Sequence, residues 1–321
     1  MKKTILLFLF QAWCAAGFSQ SLRFTEPFAT HIPARGDLDV RWNAPTNKIP
    51  ATVWVYHLLP RPLSPPNLSN LMAACSFTDK DETHHGDELN FKSSDGLRTL
   101  RVYPPWGIIE YQTTFPRSWT NLVKDVPSQS KALKLAKKFL PELGIDLGDI
   151  EKRTNNSEPN LYVFDMGVTY FVNHKAIQNT EAREVRFRRA VDGISFTSVS
   201  TGGDGGIDFG ERGNVSKISI AWRNMEREKS YPTITPEMMV KCIREGKAIQ
   251  GMIPDNLGGI DWPTVKSVTI KKAEPCYYAG GDPFAPSDWL QPYAALWTTV
   301  DTGHGNIDVE IDCPIVDEAK L

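Results

Sequence analysis

Apolar and polar residues alternate most clearly between Glu184 and Asn224. Val185, Phe187 and Val191 alternate with Arg186 and Arg188, the period of two of a half-buried strand. Asp192-Gly193 signals a turn, and Ile194 and Phe196 resume the alternation. The glycine-rich run Gly202 to Gly206 leads to a short strand at Ile207 to Phe209, and Ile218, Ile220 and Trp222 alternate once more. This pattern predicts an antiparallel meander of three or four strands. Thr52 to Leu59 is rich in β-branched and aromatic residues and predicts another strand. Further strands are expected at Leu38 to Trp42, Leu97 to Tyr103, Gly107 to Thr113, Leu161 to Phe164 and Val168 to Val172. Near the end of the chain they are expected from Val265 toward Tyr278, at Tyr293 to Asp301 and at Asn306 to Cys313. Thr302-Gly303-His304-Gly305 reads as the last hairpin turn.

A period of three to four marks the helices. From Ser128 to Leu140, residues Ala132, Leu133, Ala136, Phe139 and Leu140 share one face, and the Ser128 hydroxyl suits the N-cap. Thr235-Pro236-Glu237 opens a second helix with a cap, a first-turn proline and an acid at the positive end of the dipole, and Gly246 suits its end. A short helix is expected over Asn67 to Phe77, carrying Leu68, Leu71, Met72 and Cys75 on one face. A helix followed by antiparallel strands thus recurs at 128–222 and 235–315, with a weaker version at 52–113. The expected fold class is α+β, built from two or three repeated units of a helix packed on an antiparallel β-meander.

The helix Ser128-Gln129-Ser130-Lys131-Ala132-Leu133-Lys134-Leu135-Ala136 resembles the opening helix of PepSY-type domains. Phe187 to Ile194 and Gly213 to Ile218 are similar to the strands of those domains and of YycI/YycH-type extracytoplasmic regulators, and Ile234 to Met239 opens the next unit in the same style. The resemblance covers residues 128–315. It implies binding without catalysis: inhibition or chaperoning of a peptidase, or modulation of a sensor outside the cytoplasm. It supplies no catalytic, cofactor or metal residue.

The expected organisation is a signal peptide at 1–19, a Pro-rich N-terminal region at 20–126, a central PepSY-like unit at 127–230 and a C-terminal one at 231–321. Lys2-Lys3, the apolar run Thr4 to Trp13 and small residues at Ala15, Ala16, Gly17 and Ser19 have the layout of a bacterial leader. Cleavage is expected near Ser19-Gln20, which leaves a secreted or periplasmic chain. No later stretch reaches the ~18–20 apolar residues of a membrane helix.

With 321 residues and 41% hydrophobic content, the chain has the composition of an ordinary globular protein. Its net charge of −2 and scattered Lys and Arg argue against a nucleic-acid partner, which calls for a basic stripe. Past the leader, Cys75, Cys242, Cys276 and Cys313 allow three pairings or none. Cys276 with Cys313 is favoured among the pairings, since both fall on predicted strands of one region.

Four constellations carry possible chemistry. The loop Thr78 to Glu88, with His84-His85, mixes carboxylates and imidazoles but matches no calcium loop or zinc spacing, so a solvated acidic loop is expected. Gly202 to Gly210 lacks the Gly-Lys-Ser/Thr of a phosphate loop and reads as a flexible hairpin connection. His31, His57, His174 and His304 are isolated in sequence, and neither Gly-x-Ser-x-Gly nor His-Glu-x-x-His occurs. Trp106, Trp119, Trp262, Trp289 and Trp297, of nine tryptophans, suit either core edges or a sugar-stacking face. The expected function is therefore an exported, non-enzymatic protein- or peptide-binding module with no cofactor and an unidentified protein partner. The alternative is a secreted carbohydrate-binding protein or hydrolase with an aromatic face.

Overall fold

In the computed structural model, residues 30–317 are described except 47, 115–119, 121, 154–156, 173, 198–202, 252–259, 280, 283–284 and 287. The expected leader and its cleavage point, Trp119 and Gly202 lie outside these residues, as do the side chains of His84 and His85. In chain order, β1 is Asp39–Trp42 and β2 is Thr52–Leu59, followed by α1 at Pro65–Cys75. Then come β3 (Glu82–His85), β4 (Glu88–Lys92), β5 (Arg98–Tyr103), β6 (Ile108–Thr113) and α2 (Gln129–Glu142). The long hairpin β7 (Leu161–Val172) and β8 (Lys175–Arg188) precedes β9 (Ala190–Val191), β10 (Ile194–Ser195), β11 (Asp204–Phe209), β12 (Val215–Ala221) and β13 (Asn224–Pro232). The chain ends in α3 (Pro236–Arg244), β14 (Ile249–Gln250), β15 (Ser267–Tyr278), β16 (Gly281–Asp282), β17 (Ala285–Pro286), β18 (Trp289–Asp301) and β19 (Asn306–Pro314).

Local signals explain the element starts. Ser128 accepts from the Lys131 amide at 3.3 Å, and Thr235 accepts from the Met238 amide at 3.4 Å, so both capped helices begin where the sequence placed them. The first helix starts two residues earlier than expected. Ser64 caps it from the Asn67 amide, and Pro65 and Pro66 occupy its first turn, where a missing N–H breaks no helical bond. Asp192 and Gly193 hold φ of 52° and 77°, the positive values a tight β9–β10 turn requires.

The repeated helix-on-meander architecture is overturned. The chain is mostly β, with three α-helices among the described residues, and its strands assemble into two large sheets. The first has eight antiparallel strands in the order β3-β4-β5-β6-β12-β11-β8-β7. The second has seven and is mixed: β1-β15-β18-β19-β14, with β2 joining β18 to β13. The physical reason lies in partner choice. Alternation dictates that a segment is a strand but not what it pairs with, and the reading paired strands adjacent in sequence. Instead Ile109 of β6 faces Ile220 of β12, Trp54 of β2 faces Ser230 of β13, and β1 runs parallel to β15 with Val40 opposite Val268. The N-terminal region therefore contributes strands to both sheets.

Each sheet closes one core. Helices α1 and α2 cover the first sheet, where Leu71, Met72, Cys75, Ala132, Ala136, Phe139 and Leu140 meet Phe91, Leu100, Ile109, Val185, Phe187, Ile207 and Ile218. Helix α3 covers the second, setting Met239 and Ile243 against Val268, Ile270, Leu296, Val309 and Ile311. The Cys276–Cys313 pairing is not formed, and all four described cysteines are free thiols. β18 lies between their strands. Cys276 faces Tyr293 while Cys313 faces Ala294, one step along β18, so the two side chains leave the sheet on opposite faces.

The chain passes between the two large sheets twice, from β2 to β3 and from β12 to β13; each crossing carries a buried arginine, and a third buried arginine follows β8. Arg61 lies between β2 and α1 and donates to Leu143 O. Arg189 follows β8, donates to Arg223 O, pairs with Asp149 at 3.6 Å and lies 4.9 Å over the Trp222 ring. Arg223 lies between β12 and β13, donates to Leu58 O at 2.7 Å and meets Asp288 at 3.6 Å. Burial without full pairing pushes the Arg189 guanidinium down to about 10. No described helix is long and apolar enough to cross a membrane.

Candidate binding face

The β7–β8 hairpin is the longest in the first sheet, with twelve residues in β7 and fourteen in β8. The reading of two short strands at 161–164 and 168–172 becomes one strand, kinked by an irregularity at Met166/Gly167. Gly167 is required there, because a Cβ would approach Asn179 O to 2.8 Å. Among the described residues no strand pairs with β7 on its far side. Its backbone donors and acceptors on that side form an open sheet edge, the template an added strand uses.

The side chains along this edge are unusually apolar. Tyr162, Phe164 and Met166 lie on the face away from α2 and are 47%, 45% and 37% exposed. Helix α2 covers the opposite face only at the near end, over Leu161 and Val163. Beyond the end of that cover, Phe171 is 79% exposed. Native edges normally carry Lys, Pro or inward charge. β7 carries one acid, Asp165, which is held by Arg183 at 2.9 Å and by the Gln129 amide at 3.4 Å.

Behind the aromatics, the sheet register assembles a charged row. Phe164 faces Glu184, Glu184 faces Asp208, and Asp208 faces Lys217. Glu184 is 7% exposed and Asp208 8%. Glu184 Oε1 takes a hydrogen bond from Arg186 Nε at 2.8 Å, while its Oε2 is buried without a partner. The Arg186 guanidinium also lies 5.2 Å over the Phe164 ring. Gly206 leaves room for the acid, since a Cβ there would come 3.1 Å from Glu184 Oε1. Burial, and secondarily the Glu184 charge, push the Asp208 carboxyl up to about 6 against the opposing pull of Lys217 and Arg186.

A pH dependence follows. Asp208 binds its proton more tightly folded than unfolded, so its contribution is intact below the unfolded pKa of about 4. It is lost as pH rises from about 4 through 6. Asp208→Asn is expected to flatten that part of the stability–pH curve and to raise stability at pH 7–8 by on the order of 2–3 kcal/mol. Urea titrations of both chains between pH 4 and 8 check this. Parallel curves would place the proton elsewhere.

The other sequence candidates do not assemble into one site. Thr78 to Glu88 is not a plain loop: Asp79 to Asp81 form one turn, closed by Asp81 accepting from the Thr78 amide and hydroxyl at 2.9 Å, and β3 and β4 form a hairpin. Gly205 and Gly206 lie inside β11 rather than in a flexible connection. A Cβ on Gly205 would come 2.4 Å from the Phe187 ring, so packing explains that glycine. His31 approaches Gly246 O at 3.4 Å, His174 sits in the β7–β8 turn with φ of 63°, and His304 is in the last hairpin turn. His57 packs against Trp289, with ring centroids 4.8 Å apart. It lines a cleft of about 360 Å³ at the crossing between the sheets, with Pro105, Trp106, Arg223 and Asp288. Among the described residues no group of three or more His, Cys, Asp or Glu is placed to hold a metal. Trp222 and Trp262 are core residues, and Trp106 and Trp289 are partly buried. Trp54 and Trp297 are each about one-third exposed, on β2 and β18, and each lies under a cation, Arg227 at 5.1 Å and Lys272 at 4.2 Å.

No family model matches the chain, and no curated protein matches it. Among solved structures, an uncharacterised protein from Eubacterium rectale is similar with a TM-score of 0.46 at 11% identity, over 86% of this chain and 85% of that one. The C-terminal domain of Bacillus megaterium YpeB is similar with a TM-score of 0.34 at 11% identity, over 79% of this chain and 99% of that one.

Proposed function

We propose that the chain is a non-enzymatic binding module that works outside the cytoplasm and takes up an extended segment of a protein partner along β7. The observation that carries this reading is the twelve-residue edge strand, which pairs with β8 on one side and with no strand on the other among the described residues, with Tyr162, Phe164, Met166 and Phe171 exposed along it. An added strand gains main-chain hydrogen bonds from the edge, and its alternating side chains meet both faces of the sheet. One set contacts Tyr162, Phe164 and Met166, and the other reaches Phe171. The leader-like N-terminus supports export of the chain. The finer reading, inhibition of a peptidase or regulation of an envelope protein, follows from what strand capture does. A segment held in a sheet is withdrawn from a protease cleft or from its own fold.

A displayed library of extended peptides with alternating apolar positions, selected against the mature chain, tests this. Selected peptides are expected to slow hydrogen exchange of β7 amides that do not pair with β8. Protection at the cleft lined by His57 and Trp106, or no selection at all, would overturn the reading. A sugar-stacking platform has less support, because Trp54 and Trp297 are single rings on separate strands and each already faces a cation.

A further inference from the structure

The four described cysteines divide by position. Cys75 is in the core under α1 and α2. Cys276 is on the far face of the second sheet, with Tyr278 and Tyr293. Cys242 and Cys313 share the core beneath α3. The Cys313 thiol points at the start of that helix, 3.7 Å from Met239 O, and Cys242 lies three residues further along it. The two thiols are within hydrogen-bond contact of each other. Helix α3 packs on β19 at this point, so the contact joins two elements that are 71 positions apart in the chain (313 − 242).

We propose that Cys242 and Cys313 form a disulfide that fastens α3 to β19 when the chain meets a disulfide oxidant, either a small-molecule disulfide or the active-site disulfide of a thiol oxidoreductase. Cys242 is partly exposed and Cys313 fully buried, so Cys242 reacts first. Its thiol loses a proton, and the thiolate attacks one sulfur of the oxidant, releasing the other as a thiolate. Cys313 then loses its proton, and its sulfur attacks Cys242 Sγ in the mixed disulfide and expels the second oxidant sulfur. One S–S bond forms in the protein and one is lost from the oxidant. The two cysteines are oxidised by two electrons, the oxidant is reduced to two thiols, and the two protons complete those thiols.

The full chain, purified reduced and folded, is incubated with excess oxidised glutathione, denatured in alkylating agent without reductant, and mapped. Trypsin is unsuitable, because no Lys or Arg separates Cys276 from Cys313. A glutamate-specific protease places Cys242 on 238–245 and Cys313 on 311–318, away from Cys276. The expected product is those two peptides joined and separable by reductant. Reduction of the oxidised chain is expected to lower its melting temperature by roughly 5–10 °C, while Cys242→Ser melts the same with or without reductant. Recovery of 311–318 alkylated or carrying glutathione, or of Cys242 joined to Cys75 or Cys276, would overturn the proposal. The wild-type map decides even if the serine variant fails to fold. Because the oxidant is added directly, the result does not depend on where the chain resides.

Discussion

Phe164→Ala combined with Phe171→Ala is expected to weaken a selected extended peptide about 100-fold, which is about 2.7 kcal/mol. Exposed aromatics at the centre of a contact supply most of its energy, commonly about 2 kcal/mol or more for one ring. Phe164 and Phe171 sit on opposite faces of β7, so an added strand contacts both and their losses accumulate. The folded chain has little stake in either ring. Phe171 is 79% exposed, and Phe164 is 45% exposed with the Arg186 guanidinium as its cation partner. The melting temperature is therefore expected to stay within a few degrees of the parent. Titration calorimetry beside thermal melts separates the two effects. Equal affinity of parent and double variant would remove the β7 edge from consideration.

Arg189→Met is expected to cost about 3 kcal/mol of stability, a large part of what holds a domain folded. The substitution keeps aliphatic volume and removes the guanidinium. Three things go with it: the bond to Arg223 O, the pairing with Asp149, and the stacking over Trp222. Replacing both members of a buried ion pair with apolar groups can be neutral. Here one partner is a main-chain carbonyl, which stays behind without its donor. The expected signature in urea is a lower midpoint at unchanged slope. A midpoint within error of the parent would show that the end of β8 is held by Trp222 and its neighbours rather than by the cation.

The starts of α2 and α3 were readable because the signal is local, a Ser or Thr whose oxygen meets an amide three residues on, whereas the start of α1 at Ser64-Pro65-Pro66 was placed two residues late. Most strands with one face in a core were also readable. β13 was missed because Glu226 to Lys229 are exposed and Tyr231 is its buried apolar side chain, so the strand shows no alternation. The outer half of β8, Lys175 to Glu181, was missed for the same reason, since it extends past the core. Sheet partners were not readable, because pairing is a long-range property, and the repeated-unit architecture failed on that point. The candidate face was half readable. Tyr162 and Phe164 were read as strand and Met166 was not, and that nothing described flanks the strand depends on sheet order. The Glu184–Asp208 neighbourhood depends on register between segments more than twenty residues apart, and no spacing rule reports it.

The two crossings also set an order of assembly. β1 and β2 leave the ribosome first, yet β1 pairs with residues 267–270 and β2 with β13 and β18, so neither finds its partners until most of the chain exists. Contacts this distant in sequence slow folding, because loops must close before they are rewarded. A chain cut near residue 230 would keep β2–β13 but lose β15, β18 and α3, leaving the core side of Val53 and Val55 bare. Such a chain would be prone to aggregate rather than to behave as an independent N-terminal domain. Under the proposed export, this late closure would have a use. The polypeptide would stay extended long enough to be threaded through a translocation channel, and would become compact once its last strands arrive.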